Sequence, residues 1–181
     1  EGFAVRARSA QIAGRSIDVQ TYIWNGDTTG LALASVLLAA ADRGVKVRLL
    51  VDDMDARAKN DGMAALDAHP NIEVRMFNPL PSRSGTMAFL VDFLGDAKRL
   101  NHRMHNKTWI VDNRIAIVGG RNLGDEYFGA DAEVNFVDLD FAMVGPIVRD
   151  ASASFDRFWN SEVVYPISLL SPENVNPESL E

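Results

Sequence analysis

Ser16-Ile17-Asp18-Val19-Gln20-Thr21-Tyr22-Ile23-Trp24, the turn Asn25-Gly26-Asp27, an apolar run over residues 31–41, and Val45-Lys46-Val47-Arg48-Leu49-Leu50-Val51-Asp52-Asp53 together decide the fold. In the first segment Ile17, Val19, Thr21 and Ile23 alternate with Asp18, Gln20, Tyr22 and Trp24, which predicts a half-buried strand. Thr28 or Thr29 is placed to cap a helix whose Leu31, Ala34, Leu38 and Ala41 recur at helical spacing, and Arg43-Gly44 is a stop signal. Val45, Val47, Leu49 and Val51 alternate again and end at Asp52-Asp53. Strand, helix and strand joined by short links form a βαβ unit, so the reading is an α/β domain with a parallel strand pair.

Working outward, a short helix is expected from near Asp61 to before Pro70, and Ile72, Val74 and Met76 mark another strand. Residues 78–85 read as a loop by their Pro, Ser, Asn and Gly content, and residues 87–94 as a helix. The runs 107–111 and 114–118, joined by Asp112-Asn113, carry a hairpin signature. Residues 133–144 read as a further strand. Gly145-Pro146 opens a helix with Ile147, Ala151, Phe155, Phe158 and Trp159 on its core side. From Pro166 onward the periodicity fades, so the domain is read as 1–165 and residues 166–181 as a tail or linker.

Composition narrows the classes. Across 181 residues, 47% hydrophobic content excludes intrinsic disorder and suits one domain. The net charge of −7 offers no bulk basic surface, which argues against nucleic acid as a partner. With no cysteine, disulfides, thiolate metal sites and a cysteine nucleophile are excluded. The apolar run 31–41 is too short to span a bilayer and reads as a core-facing helix. The first residue is Glu1 rather than Met, and no signal-peptide core follows it, so the sequence reads as a processed product or an excised domain.

Chemistry concentrates in Met104-His105-Asn106-Lys107-Thr108-Trp109-Ile110-Val111-Asp112, followed after six intervening residues by Gly119-Gly120-Arg121-Asn122. On a strand, His105 and Lys107 share a face about 7 Å apart. An imidazole beside a fixed ammonium suits attack at a phosphorus whose oxygens the cation holds. Gly119 and Gly120 let backbone approach a ligand, and Asn122 offers an amide donor for phosphate oxygens. Asp112 has the opposite strand parity from His105 and reads as a structural carboxylate. A nucleophilic histidine needs an acceptor to orient its other ring nitrogen, and Asp138 or Asp140, sharing a strand face, can do this. Asp52-Asp53 reads as a loop-facing acidic pair rather than a metal site, and Trp24 as core rather than pocket mouth. His102 and Arg103 read either as added positive potential near the phosphate or as a solvated edge.

The pattern His105-x-Lys107, then Asp112 after four further residues, then Gly119-Gly120-x-Asn122, resembles the signature of the phospholipase D superfamily. Ser16-Ile17-Asp18-Val19-Gln20, the Met104-to-Lys107 segment, and Val118-to-Asn122 with Asp125-x-Tyr127-Phe128 resemble bacterial cardiolipin synthases, above all their C-type branch. The similarity runs from about Ala4 to Trp159. It implies a mixed, mainly parallel β-sheet flanked by helices on both faces. It also implies phosphatidyl transfer without metal or cofactor, through a phosphohistidine formed on a motif histidine, while a second motif's histidine moves protons to and from the alcohols.

By position, His105 is then one of the two motif histidines, and Lys107, Asn122 and Gly120 bind phosphate. Gly119 and Asp112 complete the motif. Asp138 falls where the family places the carboxylate that orients the histidine, with Asp140 as second choice. Only one motif is present, since neither His69 nor His102 has a lysine two residues on. The implied partner is a second motif half, in the same gene product or a second copy, and the one-half reading is favoured. The implied substrate is an anionic glycerophospholipid such as phosphatidylglycerol, met in the bacterial cytoplasm or at the periphery of the inner membrane. The competing readings are a homodimeric phosphodiesterase or nuclease of the same superfamily and a non-catalytic interaction half.

Overall fold

A computed structural model of the chain describes residues 1–53, 60–79 and 102–170. The helix read at 87–94, the loop at 78–85 from residue 80 onward, and the tail from residue 171 lie outside the described residues.

The βαβ unit forms as its sequence dictates. Strand β1 (Ser16–Thr21) and strand β2 (Lys46–Asp52) pair in parallel, with Ile17 opposite Val47 and Thr21 opposite Val51. The crossover is a helix over Thr28–Asp42, which follows a helix over Gly2–Ile12; in chain order these are α2 and α1. Asp27, rather than Thr28 or Thr29, caps α2 by accepting from the Gly30 N–H at 2.9 Å. Gly44 at φ 91° ends the helix in the left-handed region, where glycine meets no Cβ penalty. The core stripe of α2 is Leu33, Leu37, Ala40 and Ala41, while Leu31 is exposed. The phase differs from the sequence reading because the run 31–41 is apolar almost all round, so spacing alone does not fix its buried face.

Helix α3 (Asn60–Asp67) leads to strand β3 (Ile72–Phe77), parallel to β2. Strand β4 (Lys107–Val111) inserts on the other side of β1 and runs antiparallel to it, with Gln20 opposite Thr108. Strand β5 (Ile115–Gly119) returns beside β4 through a turn in which Asp112 and Asn113 both have positive φ, 52° and 56°. Arg114 N–H closes that turn on the Val111 carbonyl at 2.9 Å. Two positive-φ centres are the mark of the type I′ turn that matches strand twist. After the short helix α4 (Asp125–Phe128) comes edge strand β6 (Asp140–Val144), then helix α5 (Ile147–Trp159) and strand β7 (Val164–Pro166) against β3.

The sheet has seven strands in the order β6-β5-β4-β1-β2-β3-β7. It is mixed and covered by helices on both faces, as anticipated. Parallel pairing, however, is confined to β1–β2–β3, and the pairings of β4, β5, β6 and β7 are antiparallel, so the sheet is less parallel than anticipated. The reason is local: hairpin links join β4 to β5, and only the helix-linked strands need parallel crossovers. Residues 133–139 do not extend β6, because the Phe136 N–H is bonded to the Glu126 carbonyl instead of a strand partner. Pro166 pairs within β7 and Ile167 is buried, so packed structure continues past the boundary read at residue 165.

One core lies between the sheet and α1, α2 and α3, and a second between the sheet and α5. β1 is therefore buried on both faces, Asp18 and Gln20 included, and not half-buried as its alternation suggested. The polar side is matched by charge. Arg48 Nε and Nη2 donate to the two Asp18 oxygens at 2.6 and 2.9 Å, and Nη1 donates to Asp156 of α5 at 2.9 Å. Its guanidinium lies 4.8 Å from the Phe155 ring centroid and 5.4 Å from that of Trp159.

The Asp112 carboxylate accepts the N–H groups of Gly14, Arg15 and Ser16 at 2.9, 2.7 and 2.9 Å, clamping the entry of β1 to the hairpin turn. Burial pushes its pKa up, but these three donors and Arg114 outweigh burial and hold it below the usual carboxylate value. A depressed folded-state pKa means the stabilisation is complete above about pH 4 and is lost as pH falls through the folded value. Asp112→Ala is expected to lower the unfolding free energy by about 2–3 kcal/mol at pH 7. In urea titrations at pH 7 and pH 3 the deficit narrows at the lower pH.

Candidate active site

The carboxyl ends of β1, β2 and β3, the start of β4, and the end of β5 meet at one edge of the sheet. In open α/β sheets this edge is where ligands bind. Each strand end contributes one fixed group.

Residues 102–106 are irregular backbone ahead of β4, so His105 precedes the strand instead of lying on it. Three ties hold this segment. Asp52, wholly buried, accepts the Met104 N–H at 2.8 Å and lies 3.3 Å from Arg103 Nε. Arg103 Nη2 donates to the Phe77 and Asn78 carbonyls at 3.2 and 2.6 Å, and Asn78 Nδ2 donates to the His102 carbonyl at 2.9 Å. Asp52 and Asp53 are therefore interior groups, not the loop-facing pair expected from sequence. A carboxylate buried at the end of an apolar strand needs a partner, and Arg103 with the Met104 amide supplies it. Arg103 is thus neither a free source of potential nor a solvated edge; His102 is exposed.

Lys107 opens β4 and is only 5% exposed. Its Nζ donates to the His105 carbonyl at 2.7 Å. Burial lowers its pKa to about 8, even though the charges of Asp138 and Asp52 pull it upward. The Tyr22 ring, one residue past β1, lies 5.0 Å from the His105 ring at 52°, with Lys107 Nζ 5.4 Å from the same centroid. His105 itself is exposed. Asn122 is buried, and its Oδ1 accepts the Ile23 N–H at 3.0 Å, which fixes the orientation of the amide's donor end. Ile23 directly follows Tyr22, so one backbone joint aligns the amide with the ring.

The two glycines are explained by what covers them. A Cβ on Gly119 would collide with Asp140 Oδ1 and the Leu139 carbonyl, and one on Gly120 with both oxygens of Asp138. Asp140 is held by Arg6 of α1 at 3.0 Å and by Arg121 at 3.2 Å, and its other oxygen is buried without a hydrogen bond. Asp138 lies over Gly120 and accepts the N–H of its own neighbour Leu139 at 2.8 Å. Among the described residues no hydrogen bond joins His105 to Asp138 or Asp140. Asp112 stands at the far end of β4. Trp24 is buried, with Nε1 donating to the Gly30 carbonyl at 3.2 Å. Tyr22 and Asp52 are not read as site residues from sequence, and Arg103 is read there only as one of two alternatives. Tyr22 carried no signal beyond its place in an alternating strand, whereas two carboxylates ending an apolar run do mark a buried acceptor.

The structure brings His105, Lys107 and Gly119 together, ties Asn122 to the residue after Tyr22, and places Gly120 under Asp138, whose charge acts on Lys107. Among the described residues no cluster of three or more His, Cys, Asp or Glu side chains is arranged to hold a metal ion. A family profile described as "Cardiolipin synthase, PLD-like domain" matches residues 7–159. The chain belongs to this phospholipase D-like family. It is 47% identical over 167 residues to cardiolipin synthase C of Escherichia coli K12, covering 92% of this chain and 35% of that protein. The chain spans about a third of the length of the curated relatives it matches.

Two solved structures share the phospholipase D-like fold. NucT from Helicobacter pylori superposes with a TM-score of 0.66 at 19% identity, over 90% of this chain and 89% of that one. Phosphatidylserine synthase from Haemophilus influenzae superposes with a TM-score of 0.67 at 13% identity, over 99% of this chain and 39% of that one.

The packing over Gly120 yields a test. Gly120→Ala is expected to destabilise the phospholipase D-like domain by about 1–3 kcal/mol through overpacking against Asp138. Gly62→Ala, at an exposed position of α3 with nothing within 4 Å of the added methyl, is expected to be neutral or mildly stabilising. Denaturant unfolding of the pair checks the contrast, and equal effects would remove the steric account of the glycine.

Proposed function

We propose that this domain supplies one motif histidine of a cardiolipin synthase-like phosphatidyltransferase acting on an anionic glycerophospholipid such as phosphatidylglycerol. The observation that carries this reading is the buried Lys107 ammonium beside His105, with the Asn122 amide held in fixed orientation nearby, in a chain 47% identical to a cardiolipin synthase.

An imidazole nitrogen of His105 attacks phosphorus, and the bond from phosphorus to the departing alcohol oxygen breaks. That oxygen takes a proton from the histidine of a second motif. The same second histidine then removes the proton of the incoming alcohol or water. The new oxygen attacks phosphorus, and the phosphorus–nitrogen bond to His105 breaks. Lys107 and Asn122 hold the phosphoryl oxygens as charge builds on them. Asp138, which makes no hydrogen bond to His105 here, is proposed to act on the site through its charge on Lys107.

The second motif comes from another half, in the same polypeptide or a second copy. Two observations support such pairing: the single motif in a chain one third the length of its relatives, and the exposed apolar side chains Val134, Phe136, Val137, Leu139 and Phe141 beside the site. No helix among the described residues is long and apolar enough to cross a membrane, so contact with lipid is proposed at the membrane surface. A homodimeric phosphodiesterase of the same superfamily is the second reading; NucT shares the fold over 89% of its own chain. The net charge of −7 disfavours nucleic acid as its substrate.

The test is transfer and hydrolysis of labelled phosphatidylglycerol across a range of protein concentrations. His105→Ala is expected to abolish turnover with the fold intact; turnover that survives in this variant removes His105 as nucleophile. Lys107→Ala is expected to cost about 2–4 kcal/mol of transition-state stabilisation. Because the ammonium is charged below its pKa and neutral above it, the rate is expected to fall as pH rises through about 8.

A further inference from the structure

We infer that Tyr22 is a positioning residue, whose ring face holds the Lys107 ammonium and whose contact with the His105 imidazole fixes the direction of attack. This rests on the reading of His105 and Lys107 given above.

Three observations converge on that ring. Its centroid is 5.0 Å from the His105 ring, tilted by 52°, within the range of favourable aromatic pairs. Lys107 Nζ lies 5.4 Å from the same centroid, within reach of the ring quadrupole. The backbone carrying Tyr22 is held on one side by the last pairing of β1, Thr21 opposite Val51, and on the other by the Ile23 N–H bond to Asn122 Oδ1.

The physical need is plain for both partners. His105 is exposed, and among the described residues its ring makes no hydrogen bond. An imidazole in that position samples several rotamers unless a surface supports it, and each misdirected rotamer is unproductive. Lys107 has the opposite difficulty, being almost wholly removed from water. Its Nζ has three protons; the His105 carbonyl accepts one. A ring face placed under the ammonium attracts its charge without accepting a full hydrogen bond, so the remaining protons stay available for phosphoryl oxygens. One side chain thus serves the nucleophile and the phosphate-holding cation together, through the two ring contacts described.

The experiment compares Tyr22→Leu and Tyr22→Phe with the parent chain by two independent readouts. The first is an NMR titration of the Lys107 side chain and the His105 ring, which needs no turnover. In Tyr22→Leu, which keeps the site dry but removes the π face, the Lys107 midpoint is expected to fall by about one pH unit, and the His105 ring resonances to move toward those of a freely rotating imidazole. Tyr22→Phe is expected to restore both. The second is phosphatidylglycerol turnover, in which Tyr22→Leu is expected to lower kcat about tenfold with KM little changed, while Tyr22→Phe keeps most of the rate. A folded Tyr22→Leu variant whose Lys107 midpoint stays or rises overturns the inference, as does a Tyr22→Phe variant that behaves like Tyr22→Leu. Absence of turnover in the parent chain at every concentration places the second motif on another half rather than on a second copy, while the titration still decides the role of the ring.

Discussion

The antiparallel pairing of β4 against β1 at the centre of the sheet is the constraint on which the site depends. It puts the start of β4 level with the end of β1, so Lys107 stands at the same sheet edge as Tyr22. Because β2 and β3 run parallel to β1, their ends arrive at that edge too, bringing Asp52 and Asn78 beneath the segment that carries His105. A parallel β4 would place its first residue at the opposite edge, roughly 15 Å away over five residues. The type I′ turn then returns β5 in register, with Gly119 opposite Lys107. Orientation of one strand therefore decides whether the motif is a site or a scattered set of residues.

The site is also built in depth. Behind the groups that face the open edge lies a row of buried carboxylates, each engaged with a cation or a backbone donor: Asp52 with Arg103 and the Met104 amide, Asp140 with Arg6 and Arg121. Placing charges in a protein interior is costly unless they are paired, and here the pairs fix loops that have no regular hydrogen-bonding pattern of their own. Arg6 ties the first helix to this network, and that explains a helix whose sequence has no clear apolar stripe: Arg6 and Ser9 are among its buried residues.

The parts legible in the sequence were those governed by local rules. The βαβ unit, the hairpin and the motif spacing follow from period-two alternation, stop signals and turn chemistry within a few residues of each other. What escaped depended on partners distant in the chain. The burial of Asp18 and Gln20 requires α5, more than a hundred residues on, and the interior position of Asp52 requires Arg103. The phase of α2 was hidden because its residues are nearly all apolar. The strand read at 133–144 begins only at Asp140, because Glu126 claims the Phe136 amide. Of the site residues, His105, Lys107 and Asn122 announced themselves by spacing, whereas Tyr22 differed in no local respect from an ordinary strand residue.

The guanidinium of Arg48, set between Asp18 on the sheet and Asp156 on α5 and flanked by Phe155 and Trp159, gives that interface a property a purely apolar one lacks. Grease tolerates sliding, since one methyl replaces another at little cost. A planar fork with two carboxylates and two rings matches in one alignment, and a helix displaced by a turn takes Asp156 and both rings away from the guanidinium that pairs the buried Asp18. The helix is thus keyed to the sheet like a toothed wheel to its rack: it can detach, but it cannot creep.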